Sequence, residues 1–347
     1  MASNRLPSEV KGGYWLEDSG LQAEDINSTL FTHLFCAFAN LDNTGTDILT
    51  ISPTCSTFPE IVRKRNPSVK VLLSIGGGNI GSKKFDTMAS MPKLRGDFIE
   101  SSISLATTHG FDGLDLDWEN QTTINEMNHM ATLLYEWKAA INRRAPHLLL
   151  TAALRFKPVA YTGVPFPVQA IIDNLDWVNV MAYDFYSPAW PPQPVVTMFH
   201  APLYDPTRST VSGSDGITAW INAGVPAKKL VFGLPFYGYQ WKLQNANNHG
   251  IRAPAIVVEN QDPNARTFNQ IHHFIAGNGA ITVYDPAYVA NYCYAGTDWI
   301  DFDDQKTIAI KVAYAKNKAL LLGYFSWCLH QDRNWALSTI ASQTWDA

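Results

Sequence analysis

The sequence predicts a (β/α)₈ barrel that forms one large domain over residues 1–347. Eight short runs rich in β-branched and aromatic residues recur along the chain, and helical periodicities separate several of them. Hydrophobic residues make up 46% of the 347 residues, which is enough to bury one large core. A long stretch between the seventh and eighth runs predicts a small α+β insertion at residues 239–304.

The strands are predicted from these eight runs in chain order. They are residues 10–15, 32–39, 69–75, 113–119, 148–154, 177–183, 230–237 and 321–327. In this fold the catalytic groups lie where the strands end, at the C-terminal face of the barrel. Polar side chains at the ends of separate strands are therefore expected to converge at one mouth.

The helices are predicted from capping signals and from spacing. Thr123 and Glu126 form a capping box that opens a helix, and Gly110 stands at the usual stop position of a helical run over 94–109. Apolar residues at 308, 312 and 315 mark another helix before the eighth strand. The segment 239–304 is polar, Asn-rich and aromatic, and it is too long for a plain connection. Two long surface loops are the alternative to an insertion.

Composition narrows the classes of partner. The net charge is −5 and no Lys/Arg block stands out, which argues against nucleic acid. No apolar stretch is long enough to span a membrane. The 11 Trp and 14 Tyr suit either sugar stacking or a large core. The polar N-terminus carries no signal core, so we expect a cytoplasmic protein if the chain is complete, or a secreted or vacuolar one if a leader was removed.

The four cysteines decide little. Cys36 and Cys328 sit in apolar runs and are predicted to be buried thiols, whereas Cys55 and Cys293 lie in less regular stretches. A disulfide is possible, but the spacing does not demand one. No CxxC or His/Cys spacing indicates a metal site, and we expect neither a metal nor a cofactor.

The chemistry is concentrated in residues 112–119, which read Asp-Gly-Leu-Asp-Leu-Asp-Trp-Glu. Alternation along a strand places Asp115, Asp117 and Glu119 on one face, at the end of the fourth strand. Burying three like-charged groups together is costly unless protons are shared or partners are supplied. Glu119, at the rim, is the natural acid for a reaction, whereas Asp112 is predicted to be a turn residue.

This run matches the DGxDxDxE signature of glycoside hydrolase family 18 at every fixed position. The chain also resembles the family at residues 73–77 (LSIGG), 181–184 (MAYD) and 324–327 (YFSW). Residues 10–15 (VKGGYW), 181–186 and 292–297 (YCYAGT) resemble plant class V chitinases in particular. The resemblance implies substrate-assisted, retaining cleavage of β-1,4-linked N-acetylglucosamine oligomers, in which the acetamido oxygen of the sugar attacks the anomeric carbon.

The resemblance also implies roles for individual residues. Glu119 would be the acid, Asp117 would orient the acetamido group and could share a proton with Asp115, and Tyr183 would hydrogen-bond the acetamido oxygen. Coupling among these carboxylates could hold Glu119 protonated near neutral pH. The residues implied to bind sugar are Tyr14, Phe38, Ser74, Met181, Asp184, Trp190, Tyr237 and Trp327. Asp115 and Ser74 could instead be bonded to each other as structural groups.

Two positions depart from the family pattern. The family continues its motif as Trp-Glu-Tyr-Pro, but here Asn120 and Gln121 follow the acid, and Arg155 stands where class V chitinases place aromatic or small polar residues. Both Asn120 and Arg155 are predicted to border the substrate. Arg155 could lower the pKa of nearby carboxylates, bind an anionic group, or pair with a local acid.

Three functions follow from the sequence. The first is a chitinase-like hydrolase that acts as a monomer on N-acetylglucosamine oligosaccharides. The second is a chitinase-like lectin that binds such chains with little turnover. The third is a repurposed enzyme that acts on another small substrate with the same acid.

Overall fold

The computed structural model describes residues 7–41, 49–208, 211–256 and 265–347. Eight parallel strands close into a barrel, which confirms the predicted fold class. They are β1 Val10–Leu16, β2 His33–Leu41, β3 Lys70–Gly76, β4 Gly113–Asp117, β5 Leu149–Arg155, β6 Trp177–Met181, β7 Leu230–Pro235 and β8 Gly323–Trp327. Neighbours in sequence pair in order around the barrel, and β1 closes it by pairing with both β8 and β2.

Three strands end earlier than predicted. β4 stops at Asp117 rather than at residue 119, and β6 stops at Met181 rather than at residue 183. Left-handed residues follow both ends, since Asn120 has a φ of 62° and Asp184 a φ of 60°. Such a backbone leaves the strand ladder. β7 ends at Pro235, and Tyr237, the last residue predicted for this strand, is instead the first residue of a separate strand.

All but one of the described helices pack around the barrel; the exception, Phe268–Asn278, belongs to the second sheet described below. The helices are Pro53–Arg63, Ser82–Ser90, Pro92–Thr108, Ile124–Arg144, Val168–Asn174, Gly213–Asn222, Phe268–Asn278, Gln305–Ala313 and Ala336–Asp346. The predicted capping box is present, because the Thr123 side chain accepts from the Glu126 backbone N–H and the Glu126 carboxylate accepts from the Thr123 backbone N–H. No helix in the described ranges has both the length and the apolar character needed to cross a bilayer.

Apolar side chains form two layers. The larger layer lies between strands and helices, and the smaller one fills the barrel interior, where Tyr14 stacks on Phe35 with 4.3 Å between ring centroids. Below this layer, at the N-terminal ends of the strands, Asp112 pairs with Arg63 and Lys70. Asp112 therefore lies at the opposite end of the barrel from the mouth, consistent with a structural role.

A second, antiparallel sheet follows β7. Its strands are Tyr237–Leu243, Ala255–Ile256, Ala265–Thr267, Ile281–Asp285, Ala290–Ala295 and Asp298–Phe302, and the helix Phe268–Asn278 lies between the third and fourth. Buried aromatic rings fill its own small core, including Trp241 and Trp299. The sheet begins two residues after β7 ends, so it is attached directly to the C-terminal face of the barrel.

One cysteine prediction is wrong. Cys36 in β2 forms a disulfide with Cys55, in the first turn of the helix Pro53–Arg63, across a Cα–Cα distance of 6.2 Å. Fold topology, rather than spacing in the sequence, brings this helix end back onto β2. Cys328 is a buried free thiol, as predicted.

Candidate active site

Of the three carboxylates that point toward the mouth, Asp115 lies deepest and is fully buried inside the barrel. Its strand register places it between Ser74 of β3 and Thr151 of β5. Both hydroxyls donate to the carboxylate, Ser74 at 2.8 Å and Thr151 at 2.6 Å, and the Tyr14 hydroxyl donates from β1 at 2.8 Å. Burial raises the pKa of Asp115, and the three hydroxyl donors oppose that rise.

A short chain of hydrogen bonds fixes the direction of the Tyr14 hydroxyl. The Trp177 indole N–H donates to Asn179 Oδ1 at 2.9 Å, so the amide nitrogen of Asn179 faces Tyr14 and donates to its oxygen at 2.8 Å. The Tyr14 proton is thereby left to donate to Asp115. Burial and the nearby carboxylates raise the pKa of Tyr14 well above its ordinary value, which keeps this donor in place.

The next two carboxylates are less well satisfied. Asp117 is 4% exposed, and among the described residues its Oδ1 atom has no hydrogen-bond partner. Burial, followed by the charges of Glu119 and Asp115, raises the pKa of Asp117 well above its ordinary value. Burial and the charge of Asp184 raise the pKa of Glu119 to about 7. Burial first, and then the charge of Asp184, therefore favour the protonated form of Glu119 up to near-neutral pH.

Three consecutive glycines let the end of β3 close over the end of β4. Gly76 has a φ of 122°, and a Cβ there would lie 2.2 Å from the Asp117 carbonyl oxygen. The Gly77 N–H donates to that same oxygen at 2.9 Å. A Cβ on Gly78 would lie 3.1 Å from Glu119 Oε1. The segment is thus a close-fitting backbone wall beside the candidate acid.

Asp184 is held by a second network at the mouth. Its Oδ1 accepts from the hydroxyls of Tyr237 and Tyr239, the latter at 3.0 Å, and lies 3.4 Å from His200 Nδ1. Burial lowers the pKa of His200, but the carboxylates of Asp301 and Asp184 outweigh it and raise the pKa overall. Asp184 therefore faces two hydroxyl donors and a histidine whose charged form is favoured by the two carboxylates.

The mouth of the barrel is an open cleft of about 590 Å³. Trp327 lies on its floor, 5.4 Å from Tyr14 and 5.8 Å from Phe38 between ring centroids. Trp190 is 49% exposed at the rim. The predicted residues that line the cleft are Tyr14, Phe38, Asp117, Glu119, Met181, Tyr183, Asp184, Trp190 and Trp327.

The structure places the remaining predicted residues elsewhere. Ser74 is fully buried beside Asp115, and Tyr237 is buried with its hydroxyl on Asp184; neither lines the cleft. Asn120 and Arg155 line an adjoining pocket of about 80 Å³, which shares Glu119, Met181, Tyr183 and Asp184 with the cleft. Arg155 forms no ion pair within the described ranges, and its guanidinium carbon lies 4.0 Å from the Tyr161 ring centroid.

Several residues of these networks are absent from the sequence-based prediction. Thr151 and Asn179 carried a usable signal, since each is a polar residue within an apolar strand at an inward-facing position. Tyr239 and His200 carried none, because both lie outside the barrel strands and reach Asp184 only through the fold. No group of three or more His, Cys, Asp or Glu side chains arranged to hold a metal occurs among the residues described.

Comparison with known proteins gives consistent results. The model of the glycosyl hydrolases of family 18 matches residues 11–332. A class V chitinase from Arabidopsis thaliana is 49% identical over 97% of this chain and 90% of its own length. The crystal structure of a class V chitinase mutant from Nicotiana tobaccum in complex with NAG4 is 50% identical, with a TM-score of 0.93 over 98% of this chain and 99% of that chain. A chitinase-like agglutinin from Robinia pseudoacacia is 46% identical, with a TM-score of 0.87 over 97% of this chain and 99% of that chain.

Proposed function

Because the chain belongs to the glycosyl hydrolases of family 18, we propose that it cleaves β-1,4-linked N-acetylglucosamine oligomers with retention of configuration. The observation that carries this proposal is the state of Glu119. It is a partly exposed carboxyl group on the cleft, and burial with the charge of Asp184 raises its pKa to about 7. A group in this state can give its proton to a glycosidic oxygen.

The second role in the reaction falls to the substrate. Asp117 is buried and its pKa is raised well above the ordinary range, first by burial, so it is a poor nucleophile. The acetamido oxygen of the bound sugar attacks the anomeric carbon instead, while Glu119 protonates the leaving oxygen. The free Oδ1 of Asp117 accepts the acetamido N–H and holds the attacking oxygen in position.

Tyr183, which also lines the cleft, supports the same step. Burial, followed by the charge of Asp184, raises the pKa of Tyr183 well above 10, so its hydroxyl stays protonated and donates to the attacking acetamido oxygen. Trp327 provides a flat apolar face under the sugar ring, a contact worth about 1 kcal/mol.

Product analysis tests the proposal. Wild type and Glu119→Gln are incubated with N-acetylglucosamine oligomers of about four to six units, a length chosen to extend along an open cleft. We expect β-anomeric products from wild type, a rate lower by about two orders of magnitude or more in Glu119→Gln, and retained binding in the variant. If wild type binds the oligomers but releases no product over long incubation, the hydrolase proposal fails.

The similarity to an agglutinin supports a second candidate, a lectin that holds these chains without turnover. The two are separated by the same incubation, because a lectin gives binding in calorimetry and no new reducing ends. A protein that neither binds nor cleaves the oligomers would instead be a repurposed family member with another substrate.

A further inference from the structure

Arg155 lines the small pocket beside Glu119, and Lys157 lies close to it; neither cation has a carboxylate partner within the described ranges. The Arg155 guanidinium donates to the Val159 carbonyl at 2.9 Å, and its Nε is buried without a hydrogen-bond partner among those residues. The guanidinium carbon lies 4.6 Å from the Phe156 ring centroid, and Lys157 Nζ lies 5.4 Å from the same centroid. Both positive charges therefore gather around one aromatic ring.

The acidic side chains of the pocket do not pair with Arg155 in the described part of the chain. Below a pH of about 7 Glu119 is mostly protonated, because burial and the charge of Asp184 raise its pKa. Asp184 also lines the pocket, but its Oδ1 accepts from the hydroxyls of Tyr237 and Tyr239 and lies 3.4 Å from His200 Nδ1. Arg155 is therefore a cation of the pocket whose remaining N–H donors are left for a ligand.

A guanidinium presents a planar fork of N–H donors that matches two oxygens of one carboxylate or sulfate. Tyr161, which packs on Arg155 at 4.0 Å, restrains the plane of that fork. An unmodified N-acetylglucosamine unit offers it hydroxyl groups and a neutral acetamido carbonyl, but no charged pair of oxygens. The pocket is thus better matched to an oxyanion than to an unmodified sugar.

We propose that the pocket lined by Arg155, Tyr161 and Asn120 selects N-acetylglucosamine chains that carry an oxyanion substituent, a carboxylate or a sulfate, next to the bond being cleaved. This inference rests on the proposed glycoside hydrolase function. It assigns Arg155 as the specificity-determining residue and Lys157 as a longer-range contributor.

The test compares kcat/KM for three sets of oligomers of equal length: unmodified, 6-O-sulfated, and bearing a 3-O-lactyl carboxylate. Wild type should favour at least one anionic set over the neutral set by about tenfold, the size of one charge-assisted hydrogen bond. Arg155→Met should bring that ratio close to one. Arg155→Lys should leave an intermediate ratio, because it keeps the charge without the fork. Added salt should lower the wild-type ratio.

Lys306→Met is the matched control, since Lys306 also lies over an aromatic ring, 3.6 Å from the Tyr284 centroid, but lines neither pocket. Its ratio should equal that of wild type. Lys157→Met, a milder change, should lower the ratio even if Arg155→Met does not fold. Preference for only one anionic set would identify the substituent.

Cleavage of neutral oligomers with no anionic preference would overturn this inference and leave the proposed function standing. The same holds for a preference that survives in both Arg155→Met and Lys157→Met. Failure to cleave any of the three sets would instead remove the proposed function itself.

Discussion

Replacing Glu119 with Gln should stabilise the protein at alkaline pH while removing its activity. Burial and the charge of Asp184 raise the pKa of Glu119 from an ordinary value of 4.5 to about 7. Between these pH values the folded protein retains a proton that the unfolded chain has released. The free energy of unfolding therefore falls as the pH rises through this window, and this contribution is constant above it.

The size of the effect follows from the shift. A pKa difference of this size corresponds to about 3 kcal/mol, as an upper value for a partly exposed group. Gln cannot ionise, so the variant avoids this loss of stability. Part of the effect comes through Asp117, whose pKa is raised first by burial and next by the charge of Glu119. The neutral Gln removes that second contribution, so it also removes the charge repulsion between the two side chains.

Urea unfolding followed by tryptophan fluorescence at pH 4 and pH 8 measures the difference. We expect wild type and Glu119→Gln to have similar free energies of unfolding at pH 4, and the variant to be more stable by about 1–3 kcal/mol at pH 8. Glu24→Gln, at an exposed position outside the cleft, should show no such gain. Equal stability at pH 8, or the same gain at both pH values, would refute the reasoning.

Three further predictions follow from the same site. First, kcat/KM on N-acetylglucosamine oligomers should fall about tenfold per pH unit above pH 7, because the pKa of Glu119 is about 7; a flat profile to pH 9 would contradict this. Second, Thr151→Val removes a donor to the buried Asp115 carboxylate and should cost about 1–3 kcal/mol in urea unfolding, whereas an unchanged midpoint would show that hydrogen bond to be dispensable. Third, Gly76→Ala should abolish activity or folding, since its Cβ would meet the backbone at 2.2 Å, while Gly163→Ala, with a φ of 83° and open space around it, should lose only about 1 kcal/mol in thermal unfolding.

The barrel could be predicted from sequence because strand and helix periodicities are local properties. The ends of its strands could not, because they depend on single residues in the left-handed region. Asn120 and Asp184 adopt that conformation, and each lies three residues beyond the observed end of its strand. The consequence for function is direct, because Glu119 and Tyr183 then lie on loops above the barrel rather than on its strands.

The part of the candidate site that could be predicted is the part contained in the linear motif. The motif names Asp115, Asp117 and Glu119, but it does not state which of them has partners. Strand register decides that question, because it sets Ser74 and Thr151 beside Asp115 and supplies no donor to Asp117 Oδ1 from the described residues. The network around Asp184 was beyond reach, since it joins segments that only the tertiary fold brings together.

The carboxylates of the site differ in how many hydrogen-bond partners the protein gives them, and this difference explains how the site is ready to bind its substrate. Asp115 receives three hydroxyl donors, whereas Oδ1 of Asp117 is buried with no partner in the described part of the chain. A buried, unpaired acceptor costs about 1–3 kcal/mol, and the folded protein bears that cost until a donor arrives. In the proposed reaction the donor is the acetamido N–H of the substrate, which a plain 2-hydroxyl sugar lacks. Preference for the acetamido sugar would then come partly from the new hydrogen bond to Asp117 Oδ1, which removes the cost of an unpaired buried acceptor, and partly from contacts with the walls of the cleft.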